Sequence, residues 1–337
     1  MPLKLEDAKV TMVDPIDQMV IDEFRRSSLL LDMLTFDDAV APATGGSTLT
    51  YGYTRLKTPS TATSRALNTE YTADMAIREV KTAPLKIFGG SFELDRVLQD
   101  TSGSLNEIDF QLRQKILGAR NYFHHEVING KKSDTTFEGL DVLLNGSTTE
   151  YNGGTTKAYD LSVLDETKAR TLLEEIDNFL SLLDGRPDAL LVNTKLATKL
   201  KSLARWAGYY SRTEDAFGQS VDNYDNIPII DLGFYYDSSI TIGTGANAVK
   251  GATTPVIPMF DRTIGGKSLN VTDMYAVSLG LDGFHGITPQ GGVGIKTYMP
   301  DMSLPGAVKK GEVEMVAGVA LKNTLKAGVM RNIQLTA

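Results

Sequence analysis

The feature that most constrains the fold is a long apolar stripe that begins at a helix-capping motif and ends at a glycine. Ser104 and Glu107 form a Ser-x-x-Glu capping box, which satisfies free backbone N–H groups at a helix start. Apolar residues then recur at steps of three or four: Leu105, Ile108, Leu112, Ile116, Ala119, Phe123 and Val127. Gly130 is the expected C-cap residue, because glycine adopts a left-handed conformation without a side-chain penalty. The pattern predicts a helix over residues 104–129 that needs a partner surface along its whole length.

Two alternating segments before this helix predict a long two-stranded excursion. Residues 49–56 alternate in the manner of a strand, and residues 75–81 do so on the return. Between them, residues 58–64 contain no large apolar side chain. An isolated two-stranded ribbon is at best marginally stable in water, because its apolar face has nothing to pack on. Two interpretations stay open: a flexible surface hairpin, or an arm that becomes ordered on a neighbouring subunit.

Several short motifs follow one another in an order typical of one known family. They are an amphipathic helix that starts at Asp14-Pro15, the hairpin, the capped helix, Phe-Glu-Gly-Leu at residues 137–140, Asp-Ala-Leu-Leu-Val-Asn at residues 188–193, Asn-Ile-Pro-Ile-Ile-Asp at residues 226–231, and two strand patterns within residues 313–335. Together they resemble the major capsid proteins of tailed bacteriophages, which share the Hong Kong 97 shell fold with encapsulins. Asn226 stands where the family often has Gly. The resemblance covers nearly the whole chain, and the order of the motifs carries it.

The resemblance implies an α+β protein with the Hong Kong 97 phage capsid fold. Its parts would be an N-terminal arm over residues 1–48, an extended hairpin loop over 49–83, a peripheral domain over 84–158 with a spine helix over 104–129, an axial domain over 159–270, and return strands to the peripheral domain with a C-terminal strand over 271–337.

Finer patterns predict the elements inside these segments. The expected elements are a strand at residues 85–88, a short helix at 94–98, a helix from Leu161 that stops at Gly185, a strand at 189–192, a helix at 195–206, a strand at 227–232, a loop over 243–254, and strands at 274–281 and 313–321 that return to the peripheral sheet.

The composition excludes several classes of protein. The chain has 337 residues, 42% of them hydrophobic, which suffices for one elaborate domain or two ordinary ones. A net charge of −8 argues against a dedicated nucleic-acid groove, which is normally basic. Zero cysteines exclude disulfides and thiolate metal sites. Since there is no run of about 18 apolar residues and no secretory signal pattern, we expect a soluble protein made inside the cell, with no membrane partner.

The search for catalytic motifs gives only weak matches. His124 and His125 are adjacent on the predicted long helix and point about 100° apart, so they cannot share a metal and are expected on a solvated or interfacial face. Residues 265–268 echo the end of a phosphate-binding loop but lack its first glycine, so we interpret them as a turn. The carboxylate pairs at residues 37–38 and 174–175 are expected to be solvated. No catalytic residue, cofactor or metal site is expected, and the protein is not expected to be an enzyme.

The resemblance implies a structural subunit that self-assembles into the hexamers and pentamers of an icosahedral phage head. Its partners would be further copies of itself, a separate scaffolding protein, a portal, and packaged double-stranded DNA that is contacted non-specifically. It would belong to the virion capsid and assemble in the host cytoplasm. The candidate inter-subunit contacts are Ile16, Met19, Phe24 and Leu30 in the arm and Tyr51, Tyr53, Lys57, Arg65, Met75 and Ile77 in the hairpin.

Two alternatives remain. An encapsulin-like nanocompartment has the same fold but packages an enzyme instead of DNA, and the identity of the neighbouring genes would separate the two. A soluble α/β enzyme whose hairpin acts as a lid belongs to a different class. It lacks a convergent constellation of His, Asp, Ser or Lys.

Three further expectations concern the assembled particle. The predicted arm helix starts by about Pro15, which leaves no room for a cleaved scaffolding segment, so we expect a separately encoded scaffolding protein or none, and no removal of residues beyond Met1. Some relatives join a hairpin Lys to an Asn of a neighbour. Lys57 is suitably placed, but a Lys there also serves as an edge charge, so we expect denatured particles to run as a 36.6 kDa monomer. We also expect the apolar side chains of the hairpin strands to be buried against a neighbour: Tyr51, Tyr53, Leu56, Met75, Ile77 and Val80.

Overall fold

The computed structural model describes residues 28–40, 49–95, 107–154, 156–162, 165–207, 210–214, 220–242, 249–289, 295–301, 303 and 305–335. Across these residues the chain forms two large sheets and two separate two-stranded ribbons. The helices are α1 (Leu29–Met33), α2 (Glu107–Asn129), α3 (Leu140–Leu144), α4 (Glu166–Leu180) and α5 (Thr194–Ala207). The strands are β1 (Phe36–Val40), β2 (Thr50–Thr58), β3 (Ile77–Pro84), β4 (Lys86–Asp95), β5 (Glu150–Tyr151), β6 (Tyr159–Asp160), β7 (Ala189–Val192), β8 (Tyr210–Glu214), β9 (Ser220–Tyr224), β10 (Ile227–Asp231), β11 (Phe234–Ile242), β12 (Val249–Pro255), β13 (Phe260–Ile264), β14 (Lys267–Val277), β15 (Phe284–Pro289), β16 (Ile295–Tyr298), β17 (Val308–Leu321) and β18 (Ala327–Gln334).

The smaller of the two large sheets supports the long helix α2. It has five strands in the order β1-β15-β17-β16, with β4 pairing antiparallel along β17. The predicted apolar stripe is buried from Leu112 to Val127, and Phe123 stacks on Phe88 of β4 with ring centroids 5.8 Å apart. The expected partner surface of α2 is therefore this sheet together with the core around it. Ser104 and Leu105 lie outside the described residues.

The end of α2 differs from the expected left-handed glycine cap. Gly130 does not have a positive φ, and its N–H continues the helical pattern by donating to the carbonyl of Glu126 at 2.9 Å. A Cβ added at Gly130 would lie 2.4 Å from the carbonyl oxygen of Phe137, and one at Gly139 would lie 2.6 Å from that of Glu126. Glycine is thus needed at residue 130 because another part of the backbone passes close to it, and not because the chain makes a left-handed turn there.

The larger sheet has nine strands, and its central strands, such as β7 and β18, are buried on both faces. Its order is β5-β18-β14-β7-β10-β9-β8, with β13 paired to β14 and β6 to β18. Side chains alternate between two cores: Leu190 and Val192 of β7 pack with α4 and α5, whereas Ala189 and Leu191 belong to the cluster that contains α2 and α3. The strand predicted at residues 189–192 and the helix predicted at residues 195–206 are confirmed in β7 and α5.

Two predicted helices differ from the structure. The helix expected to run from Leu161 to Gly185 starts after Asp165, whose side chain caps it by accepting from the Lys168 N–H, and ends at Leu180. Leu161 instead donates its N–H to the carbonyl of Gln334 at 2.8 Å, so it extends the sheet edge. The short helix expected at residues 94–98 is wrong at 94 and 95, which lie in β4, and residues 96–98 are outside the described part.

The loop expected over residues 243–254 is wrong from residue 249 onward. That stretch forms β12, which pairs antiparallel with β11 in a second ribbon. The small residues of β12 complement the aromatic residues of β11: Gly251, at φ +90°, leaves the space that the Tyr236 ring occupies. The small side chains of this segment therefore belong to a strand that lies against the aromatic rings of β11.

The strands near the end of the sequence divide between the two sheets. β17 lies at the centre of the five-stranded sheet, but β14 lies between β7 and β18 in the nine-stranded sheet. Residues 274–281 were expected to return to the five-stranded sheet beside α2. This expectation is wrong for residues 274–277, which lie in the nine-stranded sheet. Gly265 and Gly266, with φ of +58° and +79°, form the tight turn between β13 and β14, as interpreted from the sequence. In the part of the chain described here, no helix is long and apolar enough to cross a membrane.

Candidate assembly surfaces

The base of the β2–β3 hairpin is anchored in the chain's own fold. Tyr51 is 6% exposed, and its hydroxyl donates to Asp37 Oδ2 at 2.8 Å. Its ring meets His285 edge-on with centroids 5.8 Å apart, and Lys322 Nζ lies 5.3 Å from the ring centroid. Burial, together with the hydrogen bond to Asp37, raises the pKa of the Tyr51 hydroxyl, so it remains a protonated donor.

A second set of contacts fixes the angle at which the hairpin leaves the sheet. The Tyr53 hydroxyl donates to the carbonyl of Leu321 at 3.0 Å, and the Leu85 N–H donates to the carbonyl of Leu49 at 2.8 Å. Tyr51 also belongs to a small buried cluster with Leu85 and Ile287. The sequence-based assignment of Tyr51 to a neighbour's surface is therefore wrong, because its own chain covers it. Tyr53 is half-buried by the same base.

Beyond this base the hairpin projects with its apolar side chains uncovered. Met75 is 80% exposed and Val80 is 74% exposed, and Leu56, Leu67, Tyr71 and Ile77 are exposed as well. The described residues of the chain leave these side chains far more exposed than Tyr51. Lys57 and Arg65 are also exposed. This surface is available to a second molecule.

Polar contacts hold the projecting part together. Arg55 on β2 faces Glu79 on β3, and its Nε donates to Glu79 Oε1 at 2.9 Å. That hydrogen bond lowers the pKa of the Glu79 carboxyl. Nearer the tip, the N–H and hydroxyl of Thr61 both donate to Asp74 Oδ2 at 2.6 Å. The tip is thus tied by local hydrogen bonds and not by an apolar core.

The arm residues fall into two groups. Ile16, Met19 and Phe24 lie outside the described residues. Leu30, by contrast, is fully buried in α1 and packs in the core that contains α2. Its assignment as an inter-subunit contact is wrong, because the chain's own fold covers it completely.

The two adjacent histidines point into different environments. His124 is buried, and its Nε2 lies 2.7 Å from the hydroxyl of Ser28, the N-cap of α1. Burial, reinforced by the charge of Arg120, lowers the pKa of His124 to about 3, so the ring is neutral. His125 stacks on Tyr235 with centroids 4.5 Å apart. The expectation of a solvated or interfacial face is therefore wrong for His124, because its own chain buries it. Within the described ranges, no group of three His, Cys, Asp or Glu residues could hold a metal.

Two cavities of about 540 and 520 Å³ are lined by charged residues, several of which form ion pairs. In the first, which is lined by residues of α2, α5 and β10, Lys201 Nζ lies 2.5 Å from Asp222 Oδ2. In the second, Arg331 Nη1 lies 3.0 Å from Asp273 Oδ2, and Arg262 forms two hydrogen bonds of 2.7 Å with the same carboxylate. These charges serve as ties between elements and do not form a nucleophile and base pair.

The buried ionic cluster of Asp273, Arg262 and Arg331 was missed from the sequence. Its signal was present, since Asp273 is the one charge in the buried run of residues 271–277 and Arg331 is the one charge of β18. Glu175 was also expected to be solvated, yet it accepts hydrogen bonds from Tyr151 and Tyr159 at 2.5 and 3.1 Å. The ionic cluster ties β13, β14 and β18 within the nine-stranded sheet, and Glu175 ties α4 to β5 and β6 of that sheet.

Comparison with known proteins identifies the fold. No protein family matches the sequence, and no curated protein matches it. Solved structures, however, match over about nine-tenths of the chain, and they include capsid and encapsulin shells. The chain therefore has the α+β Hong Kong 97 capsid fold, which confirms the expected fold class.

Three of the matched structures show the extent of the likeness. The holo-SrpI encapsulin complex of Synechococcus elongatus matches with a TM-score of 0.60 and 13% identity, covering 91% of this chain and 88% of that chain. The capsid of a native GTA particle matches with a TM-score of 0.54 and 10% identity, covering 91% and 90%. The capsid of Myoviridae phage XM1 matches with a TM-score of 0.52 and 12% identity, covering 90% and 91%.

Proposed function

We propose that the chain is the major capsid protein of a phage head and that its copies associate through the projecting part of the β2–β3 hairpin. The observation that carries the proposal is the contrast along this hairpin. Tyr51 at its base is buried in its own chain, whereas Met75 and Val80 are 80% and 74% exposed. Apolar side chains on an unsupported ribbon gain free energy when a neighbouring molecule covers them. The capsid fold supports the same conclusion.

Assembly would proceed through contacts repeated around symmetry axes. Heterologous contacts that close into rings give hexamers and pentamers, and these combine into an icosahedral shell. Several weak contacts per copy then add through effective concentration. In this proposal the five-stranded sheet with α2 is the peripheral domain, and the nine-stranded sheet with α4 and α5, including β14 and β18, is the axial domain.

The proposed role as a shell subunit also implies what the particle contains and which proteins it binds. The head would enclose double-stranded DNA. A net charge of −8 is no objection, because the wall of a container needs to tolerate DNA and not to bind it in a basic groove. A separate scaffolding protein and a portal are the further proposed partners. Particles would assemble in the host cytoplasm and become the capsid of the virion.

An encapsulin-like nanocompartment is the second candidate. It is favoured by the match to an encapsulin at a TM-score of 0.60. The two candidates differ in what the particle contains. Particles purified from the native host should hold double-stranded DNA if the chain forms a phage head, and a protein cargo if it forms a compartment. Ultraviolet absorbance and mass spectrometry of the same particles distinguish these contents.

Electron microscopy of wild type and two hairpin variants tests the assembly mechanism. Val80→Asp places a charge on the exposed hairpin strand, and Val80→Thr keeps nearly the same shape as a matched control. We expect closed particles from wild type and Val80→Thr. We expect folded subunits without particles from Val80→Asp, because an unpaired carboxylate would be buried at the contact. A small oligomer from wild type would refute the shell function, and normal particles from Val80→Asp would refute the hairpin contact.

A further inference from the structure

Helices α4 and α5 lie on the same face of the nine-stranded sheet and form an outer layer of the molecule. Their buried residues, such as Ile176 and Leu200, belong to one core cluster with Leu190 and Val192 of β7. The opposite face of the sheet packs into the core of α2 and α3. The outward faces of α4 and α5 therefore lie on one side of the nine-stranded sheet, far from the hairpin strands in sequence.

The two helices carry opposite charge. α5 contains four basic residues and no acidic residue: Lys195, Lys199, Lys201 and Arg205. Lys201 pairs with Asp222 of its own chain, so the basic face relies on the other three. α4 contains four acidic residues, Glu166, Glu174, Glu175 and Asp177, against two bases. These bases, Lys168 and Arg170, pair with Asp160 at 2.6 Å and with Glu166 at 2.8 Å. One copy of the chain thus presents both halves of a complementary pair of surfaces.

An exposed tryptophan lies where the two helices meet. Trp206, the single tryptophan of the chain, is 58% exposed at the end of α5. Together with Ala169, Arg170 and Leu173 of α4 it lines a cavity of about 420 Å³ that is open to solvent. Tryptophan is among the residues most enriched at energetically important positions of protein interfaces, because it offers a large rigid apolar area. The apolar centre has a charged rim, as interfaces commonly do.

We propose that this surface, centred on Trp206, binds a second copy of the chain head to tail, with the basic α5 of one copy against the acidic α4 of the next. Charge complementarity selects the occupant, because the sequence that carries the basic half also carries the acidic half. Such a contact is heterologous and can close into a ring. The inference rests on the proposed shell function and adds a contact independent of the hairpin.

Fluorescence of Trp206 tests this contact directly, since no other tryptophan contributes. Acrylamide quenching is measured on wild-type particles and on the same protein after the particles have been dissociated into folded subunits. We expect quenching to be several-fold weaker in particles, with the emission maximum shifted to the blue. Assembly at a fixed protein concentration should also weaken as sodium chloride is raised, because salt screens the opposite charges of α4 and α5.

Two substitutions separate interface loss from misfolding. Trp206→Glu should leave the thermal unfolding of the subunit nearly unchanged and should raise the concentration needed for assembly by about tenfold or more, as expected for an aromatic hot spot. Trp206→Phe keeps an apolar ring and should assemble near the wild-type concentration.

The outcomes distinguish this contact from the shell function as a whole. If wild type forms particles in which Trp206 is quenched as strongly as in free subunits, the α4–α5 contact is refuted while the shell function stands. Normal assembly of Trp206→Glu refutes it as well. If wild type forms no particles, the shell function and this contact fall together.

Discussion

At the scale of single residues, the junction between α2 and α3 depends on two glycines that let backbones touch. Gly139 donates its N–H to the carbonyl of Gly130 at 2.8 Å, and a Cβ at residue 139 would meet three backbone atoms within 2.7 Å. Backbone atoms cannot move aside as a flexible side chain can. The segment that follows α2 is therefore held against the helix end by main-chain packing.

The first prediction follows from this crowding. Gly139→Ala should lower the free energy of unfolding by at least about 2 kcal/mol, in the range of overpacked sites. Gly118→Ala is the matched control, because Gly118 lies inside α2 with no atom within 4 Å of an added Cβ. The control should be stabilised by about 0.5–1 kcal/mol through helix propensity. Urea denaturation of both variants measures the difference, and equal stability of the two would contradict the crowding argument.

The buried ring of His124 gives a prediction about pH. Its pKa in the folded chain is about 3, below the ordinary 6.5 that applies in the unfolded chain. Between these values the unfolded state binds a proton that the folded state does not, so stability falls as the pH is lowered. The loss from this ring is at most about 1.4 kcal/mol per pH unit.

The matched variant for this pH dependence is His124→Gln, which does not titrate but can still contact Ser28. The dependence of the unfolding free energy on pH between 6.5 and 3 should be shallower in the variant than in wild type. His285, whose pKa burial also lowers, is present in both proteins and cancels in the comparison. Identical slopes would show that His124 is protonated in the folded chain.

At the scale of elements, the β2–β3 hairpin separates into an anchored base and a projecting end. Replacing residues 56–77 with a short Gly-Ser turn keeps Tyr51 and Tyr53 in place. This variant should unfold cooperatively at nearly the wild-type temperature, because the removed side chains are exposed, and it should form no particles. Differential scanning calorimetry and electron microscopy provide the two measurements.

A longer replacement is the control for the hairpin. Removing residues 50–84 also deletes Tyr51, Ala83 and their buried contacts, so the subunit should lose several kcal/mol of stability. If the shorter replacement is already unfolded, the projecting end belongs to the subunit core. If it still assembles normally, the projecting end is not needed between subunits.

Elements with regular apolar periodicity could be predicted from the sequence, and those defined by their partners could not. The stripe of α2 and the amphipathic α5 have helical periodicity, and β7 is an apolar run whose short length favours a buried strand. β12 was missed because its small residues make sense only opposite the rings of β11. The sheet that β14 joins was also missed, since strand pairing between distant residues leaves no local pattern.

The candidate contact residues divide by burial for the same physical reason, and the exposed ones stay a prediction. Met75 and Ile77 are exposed, as an assembly surface requires, because the described residues of their own chain leave them uncovered. Tyr51 and Leu30 have the same apolar character, but distant residues such as Ile287 and Phe123 cover them in the fold. Composition of a segment shows that a side chain needs burial, and only the fold shows which molecule buries it.

At the scale of the whole molecule, the nine-stranded sheet couples two cores. Leu190 and Leu191 are adjacent on β7, both fully buried, and face opposite cores. Leu190→Ala and Leu191→Ala should each lower the unfolding free energy by about 2–5 kcal/mol. Each should also shift the unfolding followed by Trp206 fluorescence, although only Leu190 faces the helix layer that carries Trp206.

Coincident transitions by fluorescence and circular dichroism would show that both cores unfold together. The pair of variants makes the test selective, since the substitutions are identical and differ only in the face of the sheet. A Leu191→Ala protein whose fluorescence transition stays at the wild-type position would show that the α4–α5 layer unfolds independently of the α2 core.

The pairing of the strands also sets when the chain can fold during its synthesis. β17 and β18, at residues 308–334, lie inside the two sheets and pair with strands that are translated more than 100 residues earlier. β17 pairs with β4, and β18 pairs with β5. Neither sheet is complete until those residues have left the ribosome. Chains that emerge from one polysome therefore expose unfinished sheet edges close to one another. A chaperone that shields these edges would act before any folded subunit meets another.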